Sequence, residues 1–200
     1  MAKSGEAQTI EVPELEIRQL TVRVVGQSPL VLHAWSEKSK RMMQESQAGK
    51  PRQGKKNRDA RDPQADFKGA MYFTQDGRPG IPARLFKAAA VQAANDVGAF
   101  KTVMKRAFFI VGDILPIEGD DPVMREDFVR LESGVADLRY RPQWEKWSVT
   151  LTIKYNSAII SPAHLVNLLR TAGFGCGVGE GRASSPKGIG CGWGRFDVES

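Results

Sequence analysis

Two hundred residues make one domain, or one domain carrying a large insertion, and a 41% hydrophobic share is enough for a real core. The formal net charge of +6 favours a polyanionic partner without requiring one. No apolar run approaches the ~18 residues of a membrane span, and no apolar stretch near the N-terminus reads as a secretory signal. Two cysteines, Cys176 and Cys191, are no extracellular disulfide framework, although they could close one short loop. A cytoplasmic setting is therefore expected.

Residues 1–14 are polar and read as a disordered tail. Leu20 to Val25 alternates and is rich in β-branched residues, which predicts a strand, continued by Leu30 to Leu32 after Ser28-Pro29. Residues 36–68 carry many cations and almost no large apolar side chain between Met43 and Phe67. Such a segment buries too little to offset its ordering entropy. It reads as a mobile basic insertion with a short helix near Lys38 to Gln47. Phe67 to Phe73 reads as semi-ordered, and Asp76-Gly77-Arg78-Pro79-Gly80 as a turn.

Pro82 opens a helix that runs to about Asn95, with Leu85, Phe86, Ala89, Ala90, Ala93 and Val97 as its buried face and Gly98 as its stop. Arg106 to Val111 predicts a strand extended by Ile114 to Ile117, and Phe128 to Leu131 predicts a short one. In Trp147 to Tyr155, Val149, Leu151 and Ile153 alternate with polar residues, the pattern of a half-buried strand. Ser161-Pro162 caps a helix with Leu165, Leu168, Leu169 and Ala172 on one face, ended by Gly173. Trp193 to Val198 is the last strand. Without the insertion the order is β-α-β-β-α-β: an α+β, ferredoxin-like antiparallel sheet with two helices on one face.

Between the last helix and last strand lies Gly-Phe-Gly-Cys-Gly-Val-Gly-Glu-Gly-Arg (173–182), a polar spacer with Lys187, then Gly-Ile-Gly-Cys-Gly-Trp-Gly-Arg-Phe (188–196). Glycine lets main chain approach a ligand closely, and successive amides can form a nest for anions. This loop is neither a dinucleotide fingerprint, which follows a strand, nor a P-loop, since no Gly-Lys-Ser/Thr closes it. Gly175, Gly177, Gly179 and Gly190 are the expected backbone donors, with Arg182, Lys187 and Arg195 as charges. A phosphodiester backbone suits that chemistry best. In the insertion, Arg52, Lys55, Lys56, Arg58 and Arg61 are the candidate phosphate contacts.

The glycine-rich loop and its place before the last strand resemble the signature of the RAMP superfamily, the repeat-associated RNA-binding proteins that build CRISPR effector complexes. Gly80-Ile-Pro-Ala-Arg-Leu-Phe-Lys87 is similar to that family's Ile-Pro-Gly-Ser-Ser-Leu-Lys-like segment, with Ala83-Arg84 where the pattern has Gly-Ser. The resemblance covers most of the chain from Leu20. It implies an RNA-recognition-motif-like core, a thumb-like role for the basic insertion, and Lys87 and Arg84 near the RNA backbone. The chain is shorter than the usual backbone subunits, which fits a compact homologue such as a bacteriophage carries.

The expected function is non-catalytic binding of single-stranded RNA, or DNA, by a head-to-tail homo-oligomer, with CRISPR effector subunits as further partners and no cofactor. Trp144, Trp147, Tyr140 and Tyr72 are candidates for base stacking, with core packing the ordinary role of each tryptophan; Trp35 and Trp193 read as structural. One alternative is an interaction module that mimics a backbone subunit and interferes with effector assembly. Another, implied by the resemblance, is an endoribonuclease with His33 as general base. His33, His164, Cys176 and Cys191 lack zinc-ligand spacing, so no metal is expected.

Overall fold

The computed structural model of the protein describes residues 14–35, 37–49, 62–130, 134, 136–185 and 190–199. The alternation after Leu20 forms β1 (Ile17–Gly26), whose residues pair antiparallel with β10 (Trp147–Asn156), Thr21 opposite Thr152 and Val24 opposite Val149. On the far edge of β1 lies β11 (Phe196–Val198), and on the far edge of β10 lies β5 (Phe108–Ile110), both antiparallel. The order is β11-β1-β10-β5, with the two-residue β7 (Glu118–Gly119) also pairing β10. Mixed helices and antiparallel sheets of this kind are consistent with the ferredoxin-like class.

Two helices cover one face of this sheet. Helix α3 (Ala83–Ala93) starts at Pro82 and passes into a 3-10 turn (Ala94–Val97) closed by Gly98. Helix α5 (Pro162–Gly175) starts at Ser161, whose hydroxyl accepts from the His164 amide. Phe86, Leu165, Leu168, Leu169 and Ala172 bury against Val24, Val149, Leu151, Ile153 and Tyr155. Phe196 meets both Phe86 (ring centroids 5.4 Å apart) and Trp147 (6.5 Å), edge to face. Fully burying side chains of this size contributes about 1.5–3 kcal/mol each. The opposite sheet face carries Gln19, Thr21, Thr150, Thr152 and Lys154, and its Arg23 is held by Glu199 (2.9 Å) and Glu118 (3.7 Å). It is therefore a polar face and not a basic one.

Several segments differ from the sequence reading. Leu30 and Val31 do not continue β1. They form β2 (Leu30–Val31), which pairs with β9 (Ala136–Trp144), and β9 pairs with β8 (Val123–Arg130) in a separate three-stranded sheet. The predicted short strand at Phe128 is thus one arm of this sheet, not a core strand. Its inner face is a charge ladder that hides from an apolar-alternation reading: Asp127 accepts from Arg125 (2.7 Å) and Arg141 (3.1 Å). The register sets Arg125 directly opposite Arg141, and Asp127, paired with both, offsets the repulsion of these like charges. Helix α4 (Lys101–Ala107) occupies residues expected at the start of a strand, and only Phe108 to Ile110 is extended. Ile114 does not extend that strand. It opens β6 (Ile114–Pro116), which pairs with β4 (Pro79–Pro82), itself paired with β3 (Tyr72–Phe73). Within the basic insertion lie α1 (Glu37–Gln47) and α2 (Pro63–Gly69), the latter capped by the Asp62 carboxylate. The last strand starts at Phe196, not Trp193.

Candidate nucleic-acid interface

The segment after β2 leaves the hairpin sheet and is pinned by the Ala34 amide, which donates to the Ala70 carbonyl at the end of α2 (2.8 Å). The Ala83 amide donates to Asp113 (2.8 Å), which fixes the start of α3 beside β6. Between these anchors opens a groove of about 680 Å³. His33 and Trp35 line one part of it, Lys40 and Lys68 another, and Tyr72, Phe73 and Arg84 a third. Trp35 is 59% exposed and Phe73 49%, while Tyr72 is half-buried. Among the described residues, Asp113 is the carboxylate on its lining, against three cations. Exposed rings beside lysine and arginine are what single-stranded nucleic acid uses: bases stack on the rings and phosphates meet the cations.

His33 is half-buried, and its Nδ1 has no hydrogen-bond partner. Burial first, and the nearby Arg141 guanidinium second, push its pKa down, with Glu180 opposing. The imidazole is therefore neutral at pH 7, able to donate from one nitrogen and accept at the other.

A second hollow of about 310 Å³ shares Arg84 with the groove and is lined also by Lys87, Lys101 and Lys105. The Lys87 ammonium is turned inward. It donates to the Met104 carbonyl (2.9 Å) and the Phe108 carbonyl, and lies 3.5 Å above the Phe108 ring centroid. Burial pushes its pKa down to about 8, against two acceptors and a ring that favour the charge.

The glycine-rich loop departs from an open anion nest. Gly177 is buried and its amide donates to Ala172 (2.9 Å); the amides of Val178, Glu180 and Gly194 donate to Gly194 (2.9 Å), Val31 (2.8 Å) and Pro29 (2.8 Å). These donors are consumed in fastening α5 and β11 to β2. Gly179 has φ +79°, and a Cβ there would lie 2.5 Å from the Val31 oxygen. Gly194 has φ +65°, and a Cβ would overlap the Val178 carbonyl. Close backbone packing is what both glycines supply, which corrects the reading of Gly177 and Gly179 as ligand donors. Gly175 is exposed at the end of α5, and Gly190 is exposed in the loop.

Of the predicted charges, Arg84 lines the groove and Lys87 the adjoining hollow. Arg182 is half-buried and donates to the Gly179 carbonyl (2.8 Å). Arg195 lies 4.9 Å above the Phe174 ring, and neither arginine lines the groove. Arg52, Lys55, Lys56, Arg58, Arg61 and Lys187 lie outside the described residues. Trp144 and Trp147 are 1% and 2% exposed and belong to the core, which removes them as stacking platforms. Tyr140 is half-buried on β9, and Tyr72 reaches the groove. Cys176 is buried, Cys191 is exposed, and the two are not bonded. The sequence reading missed Trp35, Phe73, Lys40 and Lys68 as a set. The available signal was Trp35, a large ring standing just past the apolar run that ends at Leu32.

No family model matches the chain, and no curated protein does. Among solved structures, the crystal structure of Cmr6 from Pyrococcus furiosus is similar, with a TM-score of 0.48 at 11% identity. The match covers 93% of this chain and 100% of that one. A likeness of this size speaks to neither ligand nor activity. No helix among the described residues is long and apolar enough to cross a membrane.

Proposed function

We propose that the chain is a non-catalytic protein that binds single-stranded nucleic acid, RNA in preference to DNA, and assembles head to tail along it. The observation that carries this reading is the groove, where exposed Trp35 and Phe73, half-buried Tyr72 and the cations Lys40, Lys68 and Arg84 meet. Rings supply sequence-tolerant stacking and cations supply phosphate attraction. The preference for RNA, the filament and CRISPR effector subunits as partners rest on the RAMP-like motifs at Gly80 to Lys87 and Gly173 to Phe196.

Filter binding with oligouridylate, oligodeoxythymidylate and duplex RNA tests the reading. The expected order of affinity is RNA, DNA, duplex, with Phe73→Ala and Arg84→Ala each weakening the first. Duplex bound as well as single strand overturns it. Mass photometry on saturated oligouridylate reads the filament as a ladder of bound copies.

His33 favours one second reading, the endoribonuclease, because a half-buried imidazole whose pKa is pushed down lines the same groove. Incubation with labelled RNA separates the two: cleavage lost in His33→Ala with binding kept supports the enzyme, and an uncut substrate with the parent chain removes it.

A further inference from the structure

The second hollow has a composition unlike that of the groove. We propose that Arg84, Lys87, Lys101 and Lys105 form a phosphate site that seats the sugar-phosphate backbone of an oligonucleotide as it leaves the aromatic groove. This rests on the nucleic-acid reading of the groove and adds a second, chemically distinct subsite to it.

Among the described residues, four cations line this hollow and no carboxylate does. Lys101 and Lys105 stand one turn apart on α4, where like charges repel. Among the described residues no carboxylate pairs with either of them. An anion from outside relieves that repulsion. Lys87 adds its charge from within the wall and not through a free side chain. It takes up the Met104 and Phe108 carbonyls at the C-terminal end of α4, the negative end of that helix dipole. Its charge is thereby fixed in the wall of the hollow instead of sweeping through solvent.

Ala88, Val91 and Gln92 complete the lining, and among the described residues no aromatic ring belongs to it. The lining itself offers cations and no ring, so the subsite reads backbone; the exposed Phe109 ring, 5.2 Å from the Lys87 ammonium, is not part of that lining. Arg84 lines both depressions, so a chain of phosphates can pass from one to the other without leaving the surface.

The test uses the full chain and oligouridylates of graded length, comparing the parent with Lys101→Ala/Lys105→Ala and with Trp35→Ala. Melting curves establish that each variant is folded. The proposal expects the lysine variant to bind the shortest oligomers as the parent does. It should lose affinity for longer ones, with the log Kd against log salt slope shallower by about 1.4 for two lost phosphate contacts on a single strand. Trp35→Ala should weaken binding at every length. Unchanged affinity and slope for long oligomers in the lysine variant overturn the second subsite while a Trp35 effect leaves the groove standing. An equal loss at every length also overturns it, since that is diffuse charge and not a subsite. Competition by inorganic pyrophosphate against short oligomers points to a small-anion site in the groove itself and likewise overturns it. A parent chain that binds no oligouridylate overturns both readings.

Discussion

Replacing Trp35 by alanine isolates the stacking contribution, because the ring does little for the fold. It is 59% exposed, and substitutions at such positions change stability by only about 0.5 kcal/mol. A base stacked on an aromatic ring is worth ~1–3 kcal/mol by alanine substitution. The expected rise in Kd for oligouridylate is therefore about 5- to 150-fold. The four tryptophans make the assay direct. Trp144 and Trp147 are buried in the core, and Trp193 lies under the Arg125 guanidinium at 4.1 Å. Trp35 is the ring that a base can reach from solvent, so its fluorescence should be quenched as oligouridylate saturates the groove. In Trp35→Ala the quench should disappear along with the affinity. A quench of the same amplitude in the variant refutes the stacking argument, as does an unchanged Kd.

Other expectations concern the frame that holds the groove. Gly194→Ala sets a side chain at φ +65° against the Val178 carbonyl and should cost about 3 kcal/mol or more, read as a lower urea midpoint. Arg141, 7% exposed, pairs with Asp127 (3.1 Å) and Glu180 (3.7 Å). Arg141→Met should cost about 3 kcal/mol, the low end for breaking a buried pair, because Asp127 keeps Arg125; a loss below about 1 kcal/mol contradicts the assignment. Lys87, lowered to about 8 from 10.5, makes the unfolded chain the better proton binder between those values. Its contribution to stability is present above pH 10.5 and lost as pH falls through 8, so chemical denaturation should show stability gained across that window in the parent. The gain should vanish in Lys87→Met.

The core was legible because apolar side chains recur with a clear period: every second residue in Trp147 to Tyr155, every third or fourth from Leu165 to Ala172. The caps at Pro82 and Ser161 carried the helix starts. The β8-β9 arm was not legible, since Arg125, Asp127, Arg139 and Arg141 look like a solvated run until the register sets them opposite one another. Helix α4 was hidden because its seven residues hold only Met104 and Ala107 buried, too few to show a period. The glycine-rich loop shows a different limit. Glycine spacing reveals that something approaches the main chain closely, yet not whether that is a ligand or the protein itself. Here the approach at Gly179 and Gly194 is by Val31 and Val178. The groove was assembled from β2's exit, α1, α2, β3 and α3, and only the tertiary fold brings Trp35 to Arg84.

Salt dependence of oligouridylate binding reads the central claim most directly. Besides Lys40, and Lys87 with its ammonium turned inward, four cations line the two depressions: Lys68, Arg84, Lys101 and Lys105. On a single-stranded ligand these four give a log affinity against log salt slope of about −2.8, so Kd rises roughly 50-fold between 50 and 200 mM salt. Any of Arg52, Lys55, Lys56, Arg58, Arg61 and Lys187 that meets a phosphate steepens the slope by about 0.7 each. A slope of about −2.8 or steeper agrees with a basic aromatic groove on RNA. A flat slope, or no binding at low salt, contradicts it.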